Sequence, residues 1–229
     1  MSKKTEDIEG RRHLLTGMGL AAAGIATGMT ACAEEGAQTN TEQKRYATDA
    51  WLDVPEAHHR VFVDSDSADG GMWAMRYAGN ILNAHGEGYD GADSDYAMIV
   101  CFRRFATPFG WGDDIWEKYS AMFDRILKYP DPATGQPFPQ NPMNLNDRTD
   151  LPRMGNTIES VIGRGVRFAV CGAATRGISG LIARMSDGSP DEIYEEIAAS
   201  LIPNARLVPA GVLTATRAQE YGYSLLSAG

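Results

Sequence analysis

Three cysteines, four histidines and a few carboxylates beside apolar runs are the residues of this 229-residue sequence with evident chemical potential. Cys171 has the most telling setting, in Arg167-Phe168-Ala169-Val170-Cys171-Gly172-Ala173-Ala174-Thr175-Arg176-Gly177-Ile178. An apolar run too short for a helix stops at the cysteine and passes through small residues into a helical pattern, which predicts strand, tight turn and helix. In an open parallel sheet, ligands and reactive groups gather at the carboxyl ends of the strands, where Cys171 falls. Backbone N–H groups of the turn, the helix dipole and Arg176 would all favour a thiolate there, so the chemistry expected is that of sulfur. Free cysteine is equally among the most buried residue types, and a small core residue ending a strand has the same pattern.

Other candidates are weaker. Asp64 and Asp66 follow an apolar run, where they could hold a metal, act as a base or cap the next helix, and Asp64 is a candidate substrate-binding residue. Cys101 ends a second apolar run and should lie near the same sheet edge as Cys171, as a redox partner, as one half of a disulfide or simply apart from it. His58, His59 and His85 flank the first strand and helix, away from Cys171, which argues against a cysteine-protease pair. No Gly-rich phosphate loop with lysine, no Gly-x-Ser-x-Gly elbow and no paired-cysteine zinc motif is present, and no metal or cofactor is implied.

The elements that must position these residues alternate. Strand patterns at 60–64, 95–103, 167–171 and 205–209, with an edge strand at 223–226, are interleaved with helical patterns. The helices are expected at about 71–84, 113–127, 157–164, beyond the turn after Cys171 and on through 178–185, at 190–201 and 211–221, with Ser189-Pro190-Asp191-Glu192 a clear helix start. This order predicts an α/β fold, a doubly wound, mainly parallel sheet of about five strands with helices on both faces. The span 105–153 breaks the pattern with an aromatic loop and Pro130, Pro132, Pro137, Pro139, Pro142 and Pro152. Such an excursion suits a lid over Cys171 or a contact with a second subunit.

Residues 1–33 read as a targeting segment, with Arg11-Arg12-His13-Leu14-Leu15 as a twin-arginine pattern before a weakly apolar, uncharged stretch. Export by that route follows, to the periplasm or to an anchored position on the outer side of the membrane. Met29-Thr30-Ala31-Cys32 makes Cys32 a candidate for lipidation, and Ala31-Cys32-Ala33 is equally a small-x-small cleavage site. Residues 34–56 have the composition of a flexible linker in which Trp51 and Leu52 could dock, and 57–229 form the domain. The formal charge is -9; the first 33 residues hold four Lys/Arg and three Asp/Glu, so the remainder carries 17 against 27, a net -10. That balance argues against nucleic acid and anionic lipid as partners.

Val170-Cys171-Gly172-Ala173-Ala174-Thr175-Arg176-Gly177 resembles the reactive segment of the DsrE-like family, Val-Cys-x-Ala-Ala-x-x-Arg-Gly, with one residue fewer before the Arg-Gly. Leu207-Val208-Pro209-Ala210-Gly211-Val212 and Ala218-Gln219-Glu220-Tyr221-Gly222-Tyr223 are similar to that family's last strand and closing helix. The resemblance implies a sulfur carrier or sulfurtransferase in which Cys171 holds sulfur as a persulfide and passes it on. It implies that Gly172, Ala173 and Ala174 allow close backbone approach and that Arg176 assists the thiolate or holds an anionic sulfur species. A sulfur donor or acceptor and a homo-oligomer are the partners implied. The competing expectation is a non-catalytic exported ligand-binding or assembly module, with a pocket from the aromatic insertion and a buried Cys171.

Overall fold

A computed structural model describes residues 44–229. The twin-arginine segment, Cys32 and the first part of the expected linker lie outside the described residues. Five strands, β1 (His59–Ser65), β2 (Tyr96–Phe102), β3 (Arg167–Cys171), β4 (Ala205–Val208) and β5 (Ser224–Ser227), form one sheet in the order β4-β3-β2-β1-β5. Every pairing is parallel, so the expectation of a mainly parallel α/β sheet holds in its strict form. Six helices join the strands: α1 (Ala68–Tyr89), α2 (Asp113–Leu127), α3 (Ile158–Ile162), α4 (Gly172–Ser186), α5 (Pro190–Ala199) and α6 (Gly211–Glu220).

The strand order explains how the helices divide. From β1 to β4 the chain steps across the sheet in one direction, and α1 to α5 lie over one face. Their apolar side chains join Val63, Val100, Phe102, Phe168 and Val170 in the larger core. From β4 the chain must return across the whole sheet to reach β5, and α6 makes that crossing over the other face. Ala215 and Ala218 of α6 pack there with Phe62, Ile99, Cys101 and Ala169. Side chains alternate between the faces along each strand, so the near-continuous apolar runs of β2 and β3 are what a doubly covered sheet requires.

Local chemistry sets the helix starts. The Ser67 hydroxyl accepts from Gly70 N–H at 2.9 Å and caps α1, so Asp64 and Asp66 do not perform that task. Ser189 caps α5 with Pro190 in its first turn, as its sequence pattern predicts. Part of the expected linker is docked: residues Ala47–Leu52 form a 3-10 turn, and Leu52 is fully buried against the α6 face of the sheet. Arg167 donates to the carbonyl of Trp51 at 2.5 Å, and the Tyr223 hydroxyl donates to that of Leu52 at 3.1 Å.

The excursion after β2 corrects an expectation. Most of its aromatics turn inward and do not form a lid over Cys171, while Phe105 stays exposed. Phe109, Trp111, Trp116, Phe123 and Phe138 are buried in the larger core, on the opposite face of the sheet from Cys101 and Ala169. Asn141 holds the proline-rich return in place. Its amide donates to the carbonyls of Phe109 (2.9 Å) and Trp111 (2.8 Å), and its oxygen accepts from Met143 N–H. Side-chain bonds of this kind replace the ladder that six prolines forbid.

Candidate functional site

In an open α/β sheet a crevice opens where neighbouring strands send their following helices to opposite faces. Here that point lies between β3 and β4: α4 leaves β3 toward one face and α6 leaves β4 toward the other. Cys171 is the last residue of β3 and the N-cap of α4, so it stands at that crevice.

Two helix starts converge on its sulfur. Ala174 N–H, in the first turn of α4, donates to Cys171 Sγ at 3.4 Å, and Gly211 N–H, the first residue of α6, donates at 3.2 Å. Ala173 N–H donates instead to the Pro209 carbonyl at 3.1 Å and ties the two starts together. Positive ends of two helix dipoles therefore face one sulfur, where they stabilise any negative charge that develops on it. Cys171 is 6% exposed. Gly172 is required at its place, because a Cβ there would lie 2.8 Å from the Val208 carbonyl oxygen.

Cys101 is fully buried, and burial pushes its thiol well above the ordinary value, with the charges of Asp64 and Cys171 adding and that of Arg103 opposing. Both cysteines are free thiols. The register explains why: Cys101 pairs with Ala169, two residues short of Cys171. With strands about 4.8 Å apart and a rise of about 3.3 Å per residue, the two Cα atoms are about 8 Å apart. A disulfide spans at most about 7 Å without backbone movement. A redox couple between them therefore needs the strand ends to shift.

Asp64 lies on β1, opposite Cys101 and two strands away from Cys171. Its carboxylate takes three bonds from Arg103, Nε at 2.8 and 3.0 Å and Nη2 at 2.7 Å. This fork-on-carboxylate pairing holds the chain leaving β2 against the end of β1. Asp66 receives weaker contacts from Arg103 (3.5 Å) and Arg104 (3.7 Å). Among the described residues no group of three His, Cys, Asp or Glu could hold a metal ion.

Arg176 finds its partners on α5 and makes no hydrogen bond to the sulfur. Its guanidinium lies 4.0 Å from the ring centre of Tyr194 and 3.6 Å from Asp191, both on α5. Together with Gly172 and Ala173 it lines a groove of about 550 Å³ whose other walls include Trp51, Arg206, Pro209 and Thr214. Ala174 serves through its N–H. Sequence reasoning missed Gly211 as a sulfur ligand and Arg206 and Tyr194 as groove residues. Gly211 was legible as a helix start; that it meets the other helix start at one sulfur depends on how α6 crosses the sheet.

The histidines are elsewhere. His85 Nε2 is 2.9 Å from Asp95 Oδ2, and the ring packs on His59 and Tyr96 at the amino-terminal edge of the sheet.

Fold and site thus define an α/β protein with a five-stranded, all-parallel sheet and a thiol held between two helix starts. Comparison of the sequence with family models and with curated proteins finds no match. No helix among the described residues is long and apolar enough to cross a membrane.

Proposed function

We propose that this protein is a sulfur carrier or sulfurtransferase of the DsrE-like kind, with Cys171 as the sulfur-bearing residue. The observation that carries the reading is the pair of N–H donors, from Ala174 and Gly211, aimed at Cys171 Sγ in the crevice between β3 and β4. The Val-Cys-x-Ala-Ala resemblance supports it. In the first step the Cys171 thiolate attacks the outer sulfur of a donor persulfide, R–S–SH. An S–S bond forms at Cys171, the donor S–S bond breaks, and the donor leaves as R–S⁻. An acceptor thiolate then takes the outer sulfur and returns Cys171 to thiolate, so neither step needs an external oxidant. Converging N–H groups stabilise the charge on Cys171 at the start and end of each step. Arg176, which lines the groove, meets an incoming anionic sulfur species rather than the thiolate itself.

The test is intact mass after incubation with inorganic polysulfide. A gain of one sulfur atom, lost in Cys171→Ser and kept in Cys101→Ser, supports the carrier. Absence of the gain in the wild-type protein, or its persistence in Cys171→Ser, overturns it.

A second reading, a non-catalytic ligand-binding or assembly module, is favoured by one observation: Cys171 is 6% exposed, as a strand-end packing residue would be. Slow alkylation of Cys171 without prior reduction supports that reading. Its pocket would be the groove at Gly172 and not the aromatic excursion, whose side chains fill the core.

Either reading carries the expectations of the amino-terminal sequence: export by the twin-arginine route, a periplasmic or membrane-tethered position, and assembly as a homo-oligomer. The mass of the mature exported protein distinguishes an acylated Cys32 from its loss by cleavage.

A further inference from the structure

The groove beside Cys171 is chemically distinct from the surface around it. It has about 550 Å³ of space, the size range of small-molecule sites and too small for a folded partner. On a protein of net charge -9, two guanidinium groups face into it, those of Arg176 and Arg206.

Neither is committed to a strong partner. Arg176 meets only the exposed Asp191 at 3.6 Å, a pairing of small worth between solvated groups. Arg206 lies 5.7 Å from the ring centre of Trp51 and makes no ion pair among the described residues. The one carboxylate lining the groove, Asp49, is turned to Arg217 at 3.7 Å. Trp51 and Tyr194 supply apolar walls that hold the arginines by their ring faces. The groove reaches Gly172 and Pro209, the residues that flank Cys171 and the start of α6.

We infer that this groove is the subsite for the carrier portion of a small thiol that bears carboxylates and brings sulfur to Cys171 as its persulfide. The inference rests on the sulfur-carrier reading and names the donor class for it. Planar guanidinium forks match carboxylates, and two of them lining one groove suit a small peptide-sized molecule with two carboxylates. The thiol end is the part that must reach past Gly172. Gly172 lines the groove and directly follows Cys171 in the chain, so a thiol held there lies beside the residue that bears the sulfur.

The probe is glutathione, a tripeptide thiol with two carboxylates, titrated by calorimetry into the full chain carrying Cys171→Ser. Binding is expected, weakened about tenfold by adding Arg206→Gln, which removes one charge-assisted pairing. Arg206 is solvent-exposed, so that variant is expected to fold, and its circular dichroism confirms this independently. Absence of binding overturns the inference, as does binding unchanged by Arg206→Gln and Arg176→Gln together. Equal binding and competition by inorganic phosphate also overturns it, by making the groove a general anion site. The underlying reading fails separately: arginine-dependent glutathione binding, with no sulfur gained by wild-type Cys171 from either glutathione persulfide or polysulfide, supports the subsite and refutes the carrier. Sulfur gained from polysulfide without glutathione binding retains the carrier and refutes the subsite.

Discussion

Gly211 stands between the two thiols of the domain. Its N–H is 3.2 Å from Cys171 Sγ, and a Cβ built on it would lie 3.1 Å from Cys101 Sγ and 2.8 Å from the Cβ of Arg103. One small residue thus lets α6 begin close enough to the sheet for its first N–H to reach the sulfur.

Replacing Gly211 tests that relationship. Gly211→Ala must push α6 away from Arg103 and Cys101, at a cost of about 1–3 kcal/mol for overpacking. The shift also withdraws a donor from Cys171. Denaturant unfolding should show the loss of stability, and alkylation of the folded protein should show an altered rate at Cys171.

The two thiols should separate cleanly in reactivity. Cys101 is fully buried, and its thiol is pushed well above the ordinary range, so it is both inaccessible and protonated near neutral pH. Labelling at Cys101 in the folded protein is expected to be about 100-fold slower than after unfolding, since it waits on local opening. Mass mapping of the alkylated peptides checks this, and a Cys101–Cys171 crosslink formed readily by mild oxidant would contradict the register argument.

Asp64→Asn removes the carboxylate that takes three bonds from Arg103. The arginine side chain is largely shielded from water, and a loss of about 1–3 kcal/mol is expected. Because Asp64 is two strands from Cys171, the mass gain with polysulfide should persist in this variant. Loss of that gain at unchanged stability would instead give Asp64 a part in the site.

The proline-rich excursion should be sensitive to acid. Arg148 donates to both oxygens of Asp131, at 2.6 and 2.9 Å, and holds that carboxyl below its ordinary value of 3.8. A folded-state value lowered in this way adds stability that is complete above the unfolded value. It is lost as pH falls through the folded one. At neutral pH Asp131→Asn should lose about 1–3 kcal/mol relative to wild type. Below about pH 4 the difference should shrink as the wild-type carboxyl is protonated. Urea midpoints of the two proteins across pH measure the convergence.

How far the sequence could be read follows from which interactions are local. The runs ending at Cys101 and Cys171 are strands because they are short, apolar and bounded by turn residues. Ser189-Pro190 starts a helix through bonds within its own turn, and the alternation of strands and helices implies a parallel sheet. By itself the sequence thus determined the α/β class and the strand-end position of Cys171. Where that position acts was decided by tertiary structure. The return of the chain from β4 over the far face brings Gly211 to the sulfur, while on the opposite face the packing of α5 beside α4 sets Arg176 against Tyr194 and aromatics of 105–153 fill the core. Each of these joins residues on different elements, well beyond one helical turn in sequence, and no short-range spacing encodes which strand neighbours which or where a side chain finds its partner. Helix capping is local and leaves a pattern in the sequence; the crevice between β3 and β4 arises only once strand order has set α4 and α6 on opposite faces.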